Sequence, residues 1–112
     1  MQGTLTIIDA YGGTTVKHYT TPIPLEHLKK AVGGYLEVVP LFSRFGGKKC
    51  VAFCNEEGKL DGLPLNLTAS ALWIESVRQL SIDDPGYPPS VEDVLVGSVA
   101  IIQGDKEFMD EL

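Results

Sequence analysis

The sequence predicts an α+β domain: a mostly antiparallel sheet of about five strands, in the order ββαββαβ, with two helices packed on one face. Three observations predict it. Runs rich in β-branched and aromatic residues alternate with glycine and proline clusters through the first half of the chain. Two segments, beginning at Leu25 and just after Asn66, carry apolar residues at helical spacing. Near the C-terminus, Val94 to Gln103 is almost continuously apolar, as a strand buried on both faces must be.

The elements follow in order. Thr4–Ala10 reads as a first strand, Tyr11-Gly12-Gly13 as a turn, and Thr14–Thr20 as its hairpin partner. Pro22 and Pro24 break the pattern. A helix over Leu25–Val32 places Leu25, Leu28 and Val32 on one face. Pro24 stands at its start, Lys29 and Lys30 in its last turn, and Gly33-Gly34 at its C-cap. Tyr35–Phe42 is expected to be a third strand, with Pro40 marking an edge or a bulge. Ser43–Lys48 reads as a loop and Lys49–Cys54 as a fourth strand, the hairpin partner of the third. Asn55–Pro64 is turn-rich. Asn66 or Thr68 then caps a second helix whose apolar face holds Leu67, Ala71, Leu72, Trp73, Val77 and Leu80. Ser81–Asp93 is predicted to be a polar loop in which Tyr87 stands among Pro85, Pro88 and Pro89 as an aromatic contact. The fifth strand, Val94–Gln103, is placed centrally. The reading is one domain over 1–103 and an acidic tail over 104–112, a short helical turn or a frayed end.

Charge narrows the partners. The formal net charge is −6. Lys17 to Lys59 holds seven basic and four acidic residues, whereas Leu60 to Leu112 holds two basic and ten acidic ones. Binding to duplex nucleic acid needs a basic face that neutralises phosphates, so it is not expected. No apolar run reaches the ~18 residues of a membrane span, and Met1–Thr4 shows no secretory signal. Cys50 and Cys54 fall on one predicted strand, roughly 13 Å apart at ~3.3 Å per residue, beyond disulfide reach. They read as reduced thiols of a cytoplasmic protein. His18 and His27 have no ligand spacing with them, so neither a metal nor another cofactor is expected.

Three motifs recur in a known order: Val32-Gly33-Gly34-Tyr35-Leu36-Glu37-Val38-Val39, then Asn55-Glu56-Glu57-Gly58-Lys59-Leu60, then Leu63-Pro64-Leu65-Asn66. This pattern resembles a family of small domains of unknown function found mainly in bacteriophages, plasmids and other mobile elements. The resemblance covers about Pro24 to Gln103, including the ending Gly97–Ile102. It brings no catalytic residues with it. It implies a phage-like accessory protein in the cytoplasm of a bacterial host.

Candidate site residues sit at element ends, where recognition concentrates. Gly33, Gly34, Tyr35, Glu37, Asn55, Glu56, Glu57 and Asn66 form one such set. Each also has a structural role to hand: helix cap, turn or N-cap. A second set is the basic loop Arg44-Phe45-Gly46-Gly47-Lys48-Lys49, where Arg44 and Lys48 with backbone N–H groups could clamp a phosphate and Phe45 could stack on a base. It lacks the G-x4-G-K-[ST] pattern of a P-loop, and it also reads as an ordinary hairpin loop. No Ser-His-Asp or Cys-His arrangement is present at a suggestive spacing. The expected function is binding: sequestration of a small nucleotide-like ligand or inhibition of a host defence protein, by a chain able to form a homo-oligomer. The alternatives are a small metal-dependent nucleotide hydrolase using Glu37, Glu56 or Glu57, and an interaction module with an acidic face.

Overall fold

The first hairpin closes on its glycine pair. In the computed structural model, which describes residues 1–84 and 93–112, β1 (Gly3–Ile8) and β2 (Thr14–Tyr19) pair antiparallel with Ile8 opposite Thr14. Gly12 takes φ 87°, and the Asp9 carboxylate accepts the N–H groups of Tyr11 and Gly13 at 2.8 and 2.9 Å. The chain continues through α1 (Leu25–Val32), β3 (Leu36–Val38), β4 (Arg44–Phe45), β5 (Lys48–Lys49), β6 (Val51–Asn55), α2 (Leu67–Asp83), β7 (Val99–Gly104) and α3 (Lys106–Met109). Five strands form one antiparallel sheet in the order β2-β1-β7-β6-β3, and β4 and β5 form a separate small hairpin.

Strand β7 lies at the centre of the sheet, as its apolar run predicts. Its residues alternate between two cores. Val99 and Ile101 join Ile8, Ala52, Ala69, Trp73 and Val77 on the side covered by α2. Ala100 and Ile102 join Leu5, Leu28, Val32 and Phe108 on the side covered by α1 and α3. The two longer helices therefore lie on opposite faces, not on one. The reason is β7 itself: a strand apolar at four consecutive positions needs cover on both sides.

Four boundaries also differ from expectation. The third strand stops at Val38: beyond Val39, whose N–H is the last to bond to β6, Leu41 takes a left-handed φ of 63° that turns the chain out of the strand. Trp73 Nε1 donates to the Pro40 carbonyl at 2.7 Å, and Ser76 Oγ donates to that of Leu41 at 3.1 Å, so α2 holds this turn in place. The expected Ser43–Lys48 loop contains β4 and β5, joined by Gly46 and Gly47 at φ 60° and 78°, a two-residue turn open to glycine. The last strand starts at Val99 instead of Val94, after a break at Gly97 (φ 69°), where a Cβ would come within 2.8 Å of Leu63 Cδ1. Finally, α2 runs to Asp83, into the predicted loop. Tyr87 and its prolines lie outside the described residues.

The buried face of α2 is Ala69, Ser70, Trp73, Ser76 and Val77, while Leu67 is exposed. Leu72 packs against the core at the edge of this face and Ala71 is exposed, while two serines join the face because they bond loops: Ser70 Oγ accepts the Leu95 N–H at 2.9 Å, and Ser76 Oγ accepts that of Ser43 at 2.9 Å. Asn66 is the N-cap, its Oδ1 accepting the Ala69 N–H at 2.9 Å. Past β7, Asp105 caps α3 by accepting the Phe108 N–H at 2.9 Å, and that bond leads in holding its carboxyl below the usual range.

Candidate functional site

A cleft of about 220 Å³ opens beside β3 on the α2 side of the sheet. Val39, Trp73 and Leu95 form its apolar floor. Its rim carries Glu37, Glu56, Asp93 and Lys59, three carboxylates and one ammonium, so the rim is net negative. Lys59 is ion-paired with Asp93. That bond, aided by the Val94 N–H, holds the Asp93 carboxyl below its usual range. Leu60 stands at the mouth, 89% exposed. An apolar floor with a few charged groups at the mouth is the usual composition of a binding site.

Cys54 lines the same cleft. Burial, then the neighbouring Glu37 carboxylate, pushes its thiol from 9.0 up to about 11. Two pK units mean roughly a hundredfold less thiolate near pH 8, and the thiolate is the nucleophile. Alkylation of Cys54 by iodoacetamide at pH 8 is therefore expected to run roughly a hundredfold slower than that of an ordinary thiol, and to become fast on denaturation. Mass-spectrometric time courses measure both rates. Labelling at the rate of a free thiol in the folded protein would contradict it.

Beside the cleft, the sheet ends. Val39 N–H donates to the Ala52 carbonyl and Glu56 N–H to that of Tyr35, each at 2.9 Å. In an antiparallel ladder inward and outward residues alternate. Tyr35, Glu37 and Val39 therefore bond to β6, and the N–H and C=O groups of Leu36 and Val38 point away from the sheet. Among the described residues no strand lies outside β3.

The structure brings part of the predicted set together. Glu37, Asn55 and Glu56 line the cleft. Asn55 Nδ2 donates to the Val32 carbonyl at 3.4 Å, and its Oδ1 accepts the Glu57 N–H at 2.9 Å, so its carboxamide ties the end of α1 to the turn after β6. Gly34 is small for that reason: a Cβ there would lie 2.8 Å from Asn55 Nδ2. Gly33 is the left-handed cap of α1, at φ 78°. Tyr35 is exposed, with Lys29 Nζ 5.2 Å from its ring centroid. Asn66 is fully buried and all its polar atoms bond to the protein.

The basic loop is divided. Arg44 lines a separate space of about 490 Å³ between the small hairpin and α2, with Phe45, Gly46, Glu75, Gln79 and Asp83. Lys48 faces a groove of about 350 Å³ with His18 and Thr4. Gln103 pins the hairpin to the sheet, its Nε2 donating to the Phe45 carbonyl at 2.8 Å. Among the described residues no three His, Cys, Asp or Glu side chains stand so as to hold a metal ion, and no helix is long and apolar enough to cross a membrane.

A family model for a domain of unknown function, DUF3846, matches residues 6–111. The chain belongs to this family. No curated protein and no solved structure matches it. In this DUF3846 domain the cleft uses Cys54, Lys59, Leu60, Trp73 and Asp93, which the sequence reading left out of the site. Lys59 and Leu60 directly follow the Asn-Glu-Glu-Gly turn, so their place was within reach. Asp93 was not, since its pairing with Lys59 crosses 34 positions of sequence.

Proposed function

We propose that this DUF3846 domain acts by binding, as a phage-type accessory or counter-defence protein in a bacterial cytoplasm, and that it inhibits a host protein by taking an extended segment of it along β3. The observation that carries this reading is the coincidence of the cleft with an unpaired sheet edge. An added strand would bond to the outward groups of Leu36 and Val38, while every second side chain enters the cleft past Leu60. The negative rim selects a segment with Lys or Arg beside an apolar anchor.

The test is a screen of immobilised extended peptides that combine a basic residue with a large apolar one. Bound peptides are expected to lose tenfold or more in affinity to the Leu60→Asp variant and to bind Val38→Pro undetectably. The Val38 N–H faces outward, so proline there removes a donor to the partner and leaves the β3–β6 ladder intact. Unchanged affinity in Val38→Pro would reject strand addition.

The space beside Arg44 favours a second reading, the nucleotide-like ligand. Its size suits such a ligand, and the Arg44 guanidinium makes only a long bond, 3.5 Å, to the Gly47 carbonyl among the described contacts. Glu75 and Asp83 on the opposite wall oppose an anion. A nucleotide at 100 times its dissociation constant adds about 2.7 kcal/mol of stability, which a thermal-shift screen detects, and Arg44→Ala would abolish the shift.

A further inference from the structure

The opposite edge of the sheet differs from β3. Strand β2 is six residues long, Thr14–Tyr19, and every one from Thr14 to His18 is exposed. Its ladder to β1 is anchored by the Asp9 N–H bond to the Gly13 carbonyl at 2.9 Å. By alternation, Thr15, Lys17 and Tyr19 bond to β1, and the N–H and C=O groups of Thr14, Val16 and His18 point outward. Among the described residues nothing pairs with them. Natural edges are blunted by shortness, proline, a bulge or charge. The three-residue β3 has shortness and Pro40, whereas β2 has Lys17 alone.

We propose that β2 is a homodimer edge: two copies pair their β2 strands antiparallel about a two-fold axis at Val16. The sequence of the strand selects the partner and the register. Outward groups must meet outward groups, so the even-numbered residues bond to one another. With the axis at Val16, all three pair: Val16 with Val16 of the second copy, and Thr14 with His18 in both directions. Val16, 51% exposed, then meets its own copy, and Lys17 faces Thr15. Moving the axis to Lys17 sets two ammonium groups opposite each other, and moving it to Thr15 leaves His18 facing the turn glycine Gly12. The strand is thus self-complementary in one register. An isologous pair of this kind closes on itself and cannot grow into a filament. The joined sheets keep both β3 edges free at their outer ends, so the proposal stands independently of the peptide reading.

Two paired strands bury less than the ~1,200 Å² of a standard interface, so the dimer is expected to be weak and in exchange. Light scattering after size exclusion, and sedimentation equilibrium up to about 1 mM, where binding of about 4 kcal/mol is still seen, would test it. The mass is expected to rise from 12.1 kDa towards twice that value. Val16→Pro removes an outward donor without touching the β1 ladder, and Val16→Lys sets two charges on the axis. Both are expected to stay monomeric with an unchanged melting temperature. Val16→Cys is expected to form a disulfide dimer under oxidation, since directly opposed Cα atoms about 5.5 Å apart suit the bond, whereas Thr15→Cys is not. A wild-type mass fixed at 12.1 kDa, a dimer that survives both Val16→Pro and Val16→Lys, or growth beyond the dimer would each overturn the proposal.

Discussion

Asn66→Ala is expected to destabilise the domain by about 3–5 kcal/mol. The Asn66 side chain is wholly buried and touches three elements. Its Nδ2 donates to the Ile8 carbonyl at 2.9 Å and the Gly97 carbonyl at 2.8 Å, and its Oδ1 caps α2 through the Ala69 N–H at 2.9 Å. Alanine leaves the buried Gly97 carbonyl without this donor, at about 1–3 kcal/mol, takes a second donor from the Ile8 carbonyl, at about 1 kcal/mol, and removes a cap worth about 1 kcal/mol. Against a total stability of about 5–15 kcal/mol this is a large share. At roughly 4 °C per kcal/mol for a chain of this size, the melting temperature should fall by roughly 12–20 °C. Asn66→Asp separates the contributions. It keeps the cap acceptor but turns both carbonyl contacts into repulsions between acceptors, so it should be no more stable than alanine. A melt followed by circular dichroism decides: recovery in Asn66→Asp would show that the cap dominates, and a drop below 1 kcal/mol in Asn66→Ala would show that water replaces the amide.

Much of this arrangement was legible locally. The glycine pair of the first hairpin, the Asn66 cap and the central place of Val99–Ile102 each follow from backbone chemistry within a few residues. The misplacement of α1 relative to α2 has a different origin. An amphipathic pattern says that a helix covers something, and not which side of a sheet it covers. The continuous apolar run of β7 held that information, because burial on both faces requires cover on both. The over-long third strand failed at one residue: Tyr35–Phe42 has strand composition, but Leu41 takes a left-handed φ that ends the pairing, and Phe42 reaches the core from beyond that turn. The candidate site divided along the same line. Glu37, Asn55 and Glu56 meet because β3 and β6 are a hairpin readable from sequence. Arg44 and Lys48 are four residues apart yet face different spaces, because one strand of their hairpin lies against α2 and the other beside β1 and β2. The Lys59–Asp93 pair joins segments that only the tertiary fold brings together.

Phe108→Ala is the second large effect expected, and it concerns the acidic tail, read from sequence as a short helical turn or a frayed end, in which α3 forms. Phe108 is 1% exposed and completes the core beneath α1 with Leu5, Leu28 and Ile102. It reaches that position because β1 and β7 both carry glycine where its ring lies. A Cβ on Gly3 would overlap the ring outright, and one on Gly104 would collide with it and with the chain of β1. The ring occupies the space of two missing side chains. Its truncation should cost about 3–5 kcal/mol, since strands in a sheet cannot close over the cavity left behind. The converse substitution, Gly3→Ala, should also destabilise, by about 1–3 kcal/mol, through overpacking against the intact ring. The two changes should not add. In the double variant the new methyl group enters the space that the ring vacated, so Gly3→Ala becomes neutral or favourable and the coupling is about 1 kcal/mol or more. Urea titrations of the four proteins give the cycle directly. Additive losses would mean that the ring leaves Gly3 in the folded state and that α3 is held by its Asp105 cap instead of by its core contact.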